Sequence, residues 1–193
     1  GSSQAIGDIA FASNGTLYGW EARSPFSLAT ISLTTGAVTT IGNSGSNNTT
    51  GGGLAIDPTT GKAYVSFTGA TPGTTRGTLD QVNLGTGAVT VGPALSGAPN
   101  DFGGVQGNGS MNSLAFNSSG VLYAANSDQQ LPSSVELVTI NLVSGAVTDL
   151  FGLPDNTDAI AFQLTAVPEP STTGLILFGA VGAAAVGFYR RRH

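Results

Sequence analysis

The chain has 193 residues, only 9% of them charged, and is rich in Gly, Ser, Thr and Asn. Residues 1–170 hold three basic side chains and all 11 acidic ones, so this part has no electrostatic footprint for nucleic acid or an anionic membrane surface. The absence of cysteine excludes disulfides, thiolate nucleophiles and cysteine metal sites.

Residues 8–158 contain three copies of one pattern of short apolar segments and turns. Each copy starts with an apolar tripeptide, and a fourth start follows them. The four starts are Ile9-Ala10-Phe11, Leu54-Ala55-Ile56, Leu114-Ala115-Phe116 and Ile160-Ala161-Phe162. Within each copy a turn rich in Asn, Asp or Gly follows the start, and a Thr-Gly or Ser-Gly turn later leads into Ala-Val-Thr. We predict three units of four short β-strands joined by hairpins, at about 8–52, 53–112 and 113–158.

This repetition predicts the fold class. Four antiparallel strands every 45 to 60 residues are typical of a β-propeller blade, and such sheets must stack to bury both faces. We therefore expect an all-β, propeller-like ectodomain over residues 1–166, with a β-sandwich as the alternative. The units resemble secreted propeller-like repeats with a T-G-A-V-T turn in bacterial surface proteins. Three blades do not close a ring, so we expect missing blades, blades from another chain or a closing strand from upstream.

The lengths of the links between strands predict where a ligand binds. In each unit the turns after the first and third strands are short, whereas the links after the second and fourth strands are longer and differ. In an up-and-down blade these long links leave from one edge, which is the candidate binding face. Aromatic and polar side chains there suit sugar rings. The candidate ligand-binding residues are Trp20, Arg23, Asp101, Phe102 and Asp128. The alternative for Trp20 is packing between blades.

Catalytic and metal chemistry have few candidates in this sequence. The single histidine is His193, so residues 1–170 lack a His for Ser-His-Asp catalysis or for zinc. Carboxylates remain, and a facing pair permits glycoside cleavage, so a polysaccharide hydrolase or lyase is the alternative function. The segment Asp155-Asn156-Thr157-Asp158 offers oxygen ligands for calcium, with a simple turn as the alternative. We expect a non-enzymatic protein with no catalytic residue, metal site, cofactor or nucleic-acid partner.

Residues 167–193 form a tail of three parts. The first part is Val167, Pro168, Glu169, Pro170 and Ser171, the second is the uncharged stretch 172–189, and the third is Arg190, Arg191 and Arg192, followed by His193. The uncharged stretch makes a helix of about 27 Å, close to the ~30 Å hydrocarbon core, so we predict a transmembrane helix over 172–189. The arginines resist crossing and act as the membrane stop, so residues 1–170 face outward.

The tail resembles the PEP-CTERM sorting signal of Gram-negative bacteria, because the V-P-E-P-S start, the short apolar span and the arginine cluster occur in that order. The resemblance implies an exported protein that an exosortase processes at the membrane, in a bacterium that makes exopolysaccharide. A plain single-span anchor is the alternative. We expect an envelope or extracellular protein, anchored by this span before processing, with polysaccharide as the ligand of its ectodomain. Export also requires a signal peptide upstream of Gly1.

Overall fold

The computed structural model describes residues 5–21, 26–45, 50–68, 77–99, 110–127 and 134–162. These segments contain twelve β-strands and no helix. The first four strands are β1 (Ile6–Phe11), β2 (Leu17–Glu21), β3 (Ser27–Ile31) and β4 (Val38–Asn43). The next four are β5 (Thr50–Ile56), β6 (Ala63–Thr68), β7 (Thr78–Val82) and β8 (Val89–Thr90). The last four are β9 (Ser110–Phe116), β10 (Leu122–Ser127), β11 (Val135–Ile140) and β12 (Val147–Leu153).

The strands form three four-stranded antiparallel sheets, each made of strands that follow one another in the chain. We call them blade 1 (β1–β4), blade 2 (β5–β8) and blade 3 (β9–β12). The prediction of an all-β chain built from four-stranded antiparallel sheets is confirmed. A β-sandwich requires two sheets that share the strands, so that alternative is wrong.

Short polar turns join the strands inside each blade. In blade 3 the side-chain oxygen of Asn117 accepts hydrogen bonds from the backbone N–H groups of Ser119 at 3.0 Å and Val121 at 2.9 Å. Gly120 in this turn has a φ of 78°, in the left-handed region that favours glycine. Such turns are closed by neighbouring residues alone, which is why the sequence pattern reveals them.

The third strand of each blade ends shortly before a tight turn. In blade 1 β3 ends at Ile31, and Leu33 is 67% exposed. In that turn the backbone N–H of Gly36 donates to the carbonyl oxygen of Ser32 at 2.8 Å. The other two blades contain the equivalent bond.

The blades stack face to face, and two clusters of buried apolar side chains fill the spaces between them. The cluster between blades 1 and 2 includes Trp20, Leu28, Leu54, Val65 and Phe67. The cluster between blades 2 and 3 includes Leu79, Leu114, Phe116, Leu122 and Val138. The first strands β1, β5 and β9 lie side by side, so they line a common axis.

The described part of the chain contains no helix long and apolar enough to cross a membrane. The predicted span 172–189, the sorting residues 167–171 and the arginines 190–192 all lie outside the described residues. The prediction of a C-terminal transmembrane helix therefore stays a prediction.

Candidate functional site

The strand order determines where the long links lie. Because each blade is an antiparallel sheet of consecutive strands, the links after its second and fourth strands leave from the same edge. We call this the long-link edge. Its links are residues 22–26, 44–49, 69–77, 91–109, 128–134 and 154–159. The short turns occupy the opposite edge of each blade.

Trp20, the aromatic candidate for ligand binding at this edge, lies in the core. It is 0% exposed, and its ring meets the ring of Phe67 edge-on with the centroids 5.8 Å apart. The register explains this position, because Trp20 pairs with Leu28 on the face that packs against blade 2. Packing between blades, the alternative reading, thus replaces the expected surface contact of Trp20.

The other four candidate ligand-binding residues are Arg23, Asp101, Phe102 and Asp128, and they lie outside the described residues. In the sequence each belongs to a link that follows a second or fourth strand. Their part in ligand binding stays a prediction.

Asp8 lies at the axis and connects the first strands of all three blades. Its Oδ2 atom accepts a hydrogen bond from the backbone N–H of Leu54 in blade 2 at 2.8 Å. Its Oδ1 atom accepts one from the N–H of Ile9 at 2.8 Å. The backbone N–H of Leu114 in blade 3 also donates to this carboxylate. One side chain therefore joins backbone groups that are far apart in sequence.

Burial sets the protonation of Asp8. Desolvation penalises the charged carboxylate and raises the pKa of Asp8 above its ordinary value. The hydrogen bonds from Leu54, Ile9 and Leu114 act in the opposite direction, but their effect is smaller. The Asp8 carboxyl group therefore holds its proton at a higher pH than a solvated aspartate.

Blade 3 repeats the axial contact of Asp8 with a different side chain. The Oγ atom of Ser113, directly before the third apolar start, accepts a hydrogen bond from the backbone N–H of Ile160 at 3.2 Å. The equivalent position in blade 2 is Gly53, where a Cβ atom would lie 2.2 Å from the backbone nitrogen of Leu114. The residue directly before an apolar start thus uses a side-chain oxygen to accept a hydrogen bond from the next apolar start. Blade 2 is the exception, because the backbones there approach too closely for any side chain.

The axis itself is an apolar groove of about 340 Å³. It is lined mainly by the four apolar starts that the sequence reveals, which are 9–11, 54–56, 114–116 and 160–162. The fourth start is not a strand, yet it packs in the groove, where the ring of Phe162 lies 4.7 Å from the ring of Tyr123, centroid to centroid. The sequence predicts the equivalence of the four starts but not that they surround one groove.

The carboxylate of Asp57 closes a short turn. Burial raises the pKa of Asp57, but hydrogen bonds from the hydroxyl groups of Thr60 and Thr59, each 2.7 Å long, outweigh it, so the pKa is lowered. This is the capping role expected of an Asp at the start of a turn.

Glu21 and Asp80 are both fully buried. Glu21 accepts a hydrogen bond from the hydroxyl of Thr40 at 3.0 Å, and Asp80 accepts one from the backbone N–H of Gly92 at 3.0 Å. Burial raises the pKa of Asp80. The second carboxylate oxygen of each acid has no hydrogen-bond partner among the described residues. These two acids therefore lie inside blades rather than across an open cleft.

The segment proposed for calcium forms a turn. The hydroxyl of Thr157 donates to the carbonyl oxygen of Pro154 at 2.6 Å, and Asn156 adopts a φ of 62°. Within the segments that the structure describes, no three His, Asp or Glu side chains come close enough together to hold a metal ion.

Sequence reasoning misses the role of Asp8, because it treats this residue as one of many scattered acids. The sequence signal that could have identified Asp8 is its position relative to the apolar start. Asp8 and Ser113 each stand directly before an apolar start, where an oxygen atom reaches the next blade. Aligning the starts therefore identifies the axial residues.

The tail matches a known family model. Residues 166–192 match the PEP-CTERM protein-sorting motif. The chain carries a PEP-CTERM sorting motif. This motif indicates an exported, envelope-associated protein and implies processing by an exosortase. The match is confined to the tail, so it leaves the ligand of the ectodomain open.

The described blades resemble solved structures of β-propeller-type proteins. A chain of the nidogen/laminin complex is 15% identical with a TM-score of 0.52, and the match covers 79% of this chain and 50% of that one. A gluconolactonase-like protein is 14% identical with a TM-score of 0.48 and coverages of 82% and 52%. A protein of unknown function from Bacteroides caccae is 16% identical with a TM-score of 0.43 and coverages of 83% and 50%.

The likeness to the chain of the nidogen/laminin complex supports the propeller fold and nothing about activity, because the identity is low. The chain spans about half the length of each of these three matched chains. No curated protein matches the chain significantly.

Proposed function

We propose that this chain is a non-enzymatic surface or extracellular-matrix protein whose ectodomain binds polysaccharide. The observation that carries the proposal is the PEP-CTERM sorting motif at residues 166–192. After export, the apolar stretch 172–189 holds the chain in the membrane, the arginines stop its transfer, and an exosortase processes the tail.

The arrangement of the long links supports polysaccharide binding. They leave the blades from one edge, and they carry Arg23, Asp101, Phe102 and Asp128. An aromatic ring covers the apolar face of a sugar, while amide, carboxylate and guanidinium groups bond its hydroxyls. The negative charge of residues 1–170 favours a neutral polysaccharide over an anionic one.

The placement of the described acids supports a non-enzymatic role. Asp8 bonds backbone N–H groups at the axis, Asp57 closes a turn, and Asp80 is buried inside a blade. A hydrolase or lyase needs two carboxylates that face a bound sugar. Three of the acids are thus engaged in holding the fold.

Affinity electrophoresis of the full chain tests the proposed binding. Native gels contain dextran as a neutral probe, alginate as an anionic probe or neither. We expect dextran to retard the chain more than alginate does, and we expect Phe102→Ala and Arg23→Ala each to weaken binding about tenfold. Lys62→Ala is the matched control, because Lys62 is an exposed cation at the short-turn edge.

The outcomes separate the two functions. Equal mobility in all gels contradicts polysaccharide binding. Release of new reducing ends from a polysaccharide during incubation favours the hydrolase alternative, and formation of an unsaturated uronate favours the lyase.

A further inference from the structure

Blade 1 carries a row of apolar side chains that belongs to neither cluster between the blades, with Leu17 buried and the two ends exposed. Neither of the other described blades packs on it, so we call it the uncovered row. The row crosses all four strands, because Phe11 pairs with Leu17, Leu17 with Ile31 and Ile31 with Val38. Cross-strand partners point to the same face of a sheet. Phe11 is 51% exposed and Val38 is 43% exposed, so the two ends of the row are open to solvent.

Blades 2 and 3 contain the same row, and there it is covered. The row of blade 2 is Ile56, Ala63, Val82 and Val89, and the row of blade 3 is Phe116, Leu122, Ile140 and Val147. The first of these rows packs into the cluster against blade 1, and the second packs into the cluster against blade 2. In this fold the row is therefore the face that packs on a preceding blade.

The far face of blade 3 already holds a substitute for a next blade. Tyr64 of blade 2 contacts Phe116 of blade 3 with the ring centroids 5.7 Å apart, and Tyr123 of blade 3 contacts Phe162 at 4.7 Å. The backbone N–H of Ile160 bonds Ser113, as the N–H of a first strand does. Residues 160–162 therefore occupy the position of a fourth blade's first strand.

The substitute has the same sequence as the last three residues of β1. Ile160-Ala161-Phe162 and Ile9-Ala10-Phe11 are identical tripeptides. Blade 3 thus accepts Ile-Ala-Phe, and each chain also presents Ile9 and Phe11 of the same tripeptide on the face of blade 1 that carries the uncovered row. The site on blade 3 that residues 160–162 occupy therefore fits the uncovered row of a second chain.

We propose that the partner of the uncovered row is a second copy of this chain, bound head to tail. Blade 1 of one copy packs on blade 3 of the other, and its residues 9–11 replace residues 160–162 on Tyr123 and Ser113. Two copies joined in this way twice supply six blades, in the four-to-eight range of closed propellers.

Variants with opposite expected effects test the proposal. Sedimentation of the full chain in mild detergent, over a concentration series, measures self-association. We expect Phe11→Asp to weaken association at least tenfold, because it places a charge in the row. We expect Phe162→Asp to strengthen self-association, because the charge displaces residues 160–162 from blade 3 and leaves their site free for residues 9–11 of the second chain. Val143→Asp is the control, since Val143 is 89% exposed in a turn, and it should change nothing.

The proposal fails if Phe162→Asp remains monomeric at every concentration, or if it weakens association as Phe11→Asp does. Association through the tail alone would be the same in all variants, so it cannot produce the opposite effects. Circular dichroism of each variant shows whether the strands are intact.

Cross-linking identifies the contact itself. The chain has no cysteine, so introduced ones are the only thiols. Chains carrying Phe11→Cys are mixed with chains carrying Tyr123→Cys and oxidised. We expect a disulfide-linked pair of the two variants, well above the yield of Val143→Cys mixed with Tyr123→Cys. Yields equal to this control overturn the proposed contact.

Discussion

Asp8 both connects the blades by hydrogen bonds and carries a titratable group. A neutral serine performs the equivalent task in blade 3, but it holds only one neighbouring N–H. The carboxylate of Asp8 has two oxygens and reaches the first strands of two other blades. The cost is a half-buried acid, and its desolvation raises the pKa of Asp8.

Asp8→Asn is predicted to remove part of the pH dependence of stability. Because the folded pKa of Asp8 is raised above the unfolded value of 3.8, the folded chain binds the proton more tightly. The resulting stabilisation is fully present below the unfolded value and is lost as pH rises through the folded one. Asparagine does not titrate. The wild-type minus variant difference in unfolding free energy should therefore fall as pH rises from about 3.8 towards 7.

Urea unfolding of both full chains, followed by circular dichroism at several pH values, measures this difference. A difference that is flat across the range, or that grows with pH, contradicts a raised pKa for Asp8. Asp57→Asn is a useful contrast, because the pKa of Asp57 is lowered and its difference should change in the opposite direction.

Trp20 shows how a single residue can be misassigned from composition and yet be located by periodicity. A tryptophan beside a long link suggests a sugar platform. However, strict alternation puts Trp20 on the same face as Tyr18, and both pack towards blade 2. Extending the alternation of inward and outward side chains to the end of β2 therefore predicts that Trp20 is buried.

At the level of elements, the hairpins are the predictable part of this fold. Their strands pair with the next strand in the chain, and their turns are closed by residues two to four positions apart, such as Asn83 with Gly85 at 2.9 Å. All the information for such a contact is local. The strand pattern in the sequence therefore predicts the three sheets.

How closely one blade approaches another could not be predicted from the sequence, because it depends on contacts between residues that are far apart in the chain. Gly53 lies against the backbone of Ser113 and Leu114, about sixty positions away. Nothing near Gly53 in the sequence distinguishes it from a turn glycine. The axial groove and the role of Asp8 depend on the same distant contacts, so only the structure reveals them.

Gly53→Ala is predicted to separate blades 2 and 3. Its Cβ atom would lie 2.2 Å from the backbone nitrogen of Leu114 and 2.6 Å from the carbonyl carbon of Ser113. Backbone atoms cannot rotate away as a side chain can, so we expect a loss of about 1–3 kcal/mol in unfolding free energy. For a chain of this size that lowers Tm by about 2–4 °C per kcal/mol.

Gly85→Ala is the matched control. At Gly85 the only close neighbour of a Cβ atom is the side-chain oxygen of Asn83, at 3.4 Å. Replacing glycine at such a site should leave stability unchanged or raise it by about 0.4–1 kcal/mol. Thermal unfolding of the two variants beside wild type decides the question, and equal Tm values would disprove the close approach at Gly53.

At the level of the whole molecule, the chain joins an acidic β ectodomain to a tail with opposite charge. The ectodomain has no cysteine, so it is held together by apolar packing between blades and by the axial hydrogen bonds. The basic residues of the tail are grouped at 190–192. This separation of charge suits a protein with one end outside the membrane and the other inside.

The final prediction concerns processing of the tail in the native host, where the mature protein should lack residues 172–193. A helix over the predicted span 172–189 would be only about 27 Å long, which is marginal for the ~30 Å hydrocarbon core. Because prolines disfavour a helix interior, Pro168 and Pro170 lead us to expect an extended segment there that a protease can reach. The match to the sorting motif points to the same outcome. Intact mass of the surface-extracted protein measures it.

Two sets of variants separate processing from anchoring. Replacing Arg190, Arg191 and Arg192 by Gln should weaken the membrane stop, so that the tail slips through or fails to stop. Changing Pro168 and Pro170 to Ala should leave the span inserted but uncut, because a continuous helix hides the cleavable segment. If the wild-type chain still ends at His193 in a host that has the sorting enzyme, the tail is a plain membrane anchor and processing is excluded.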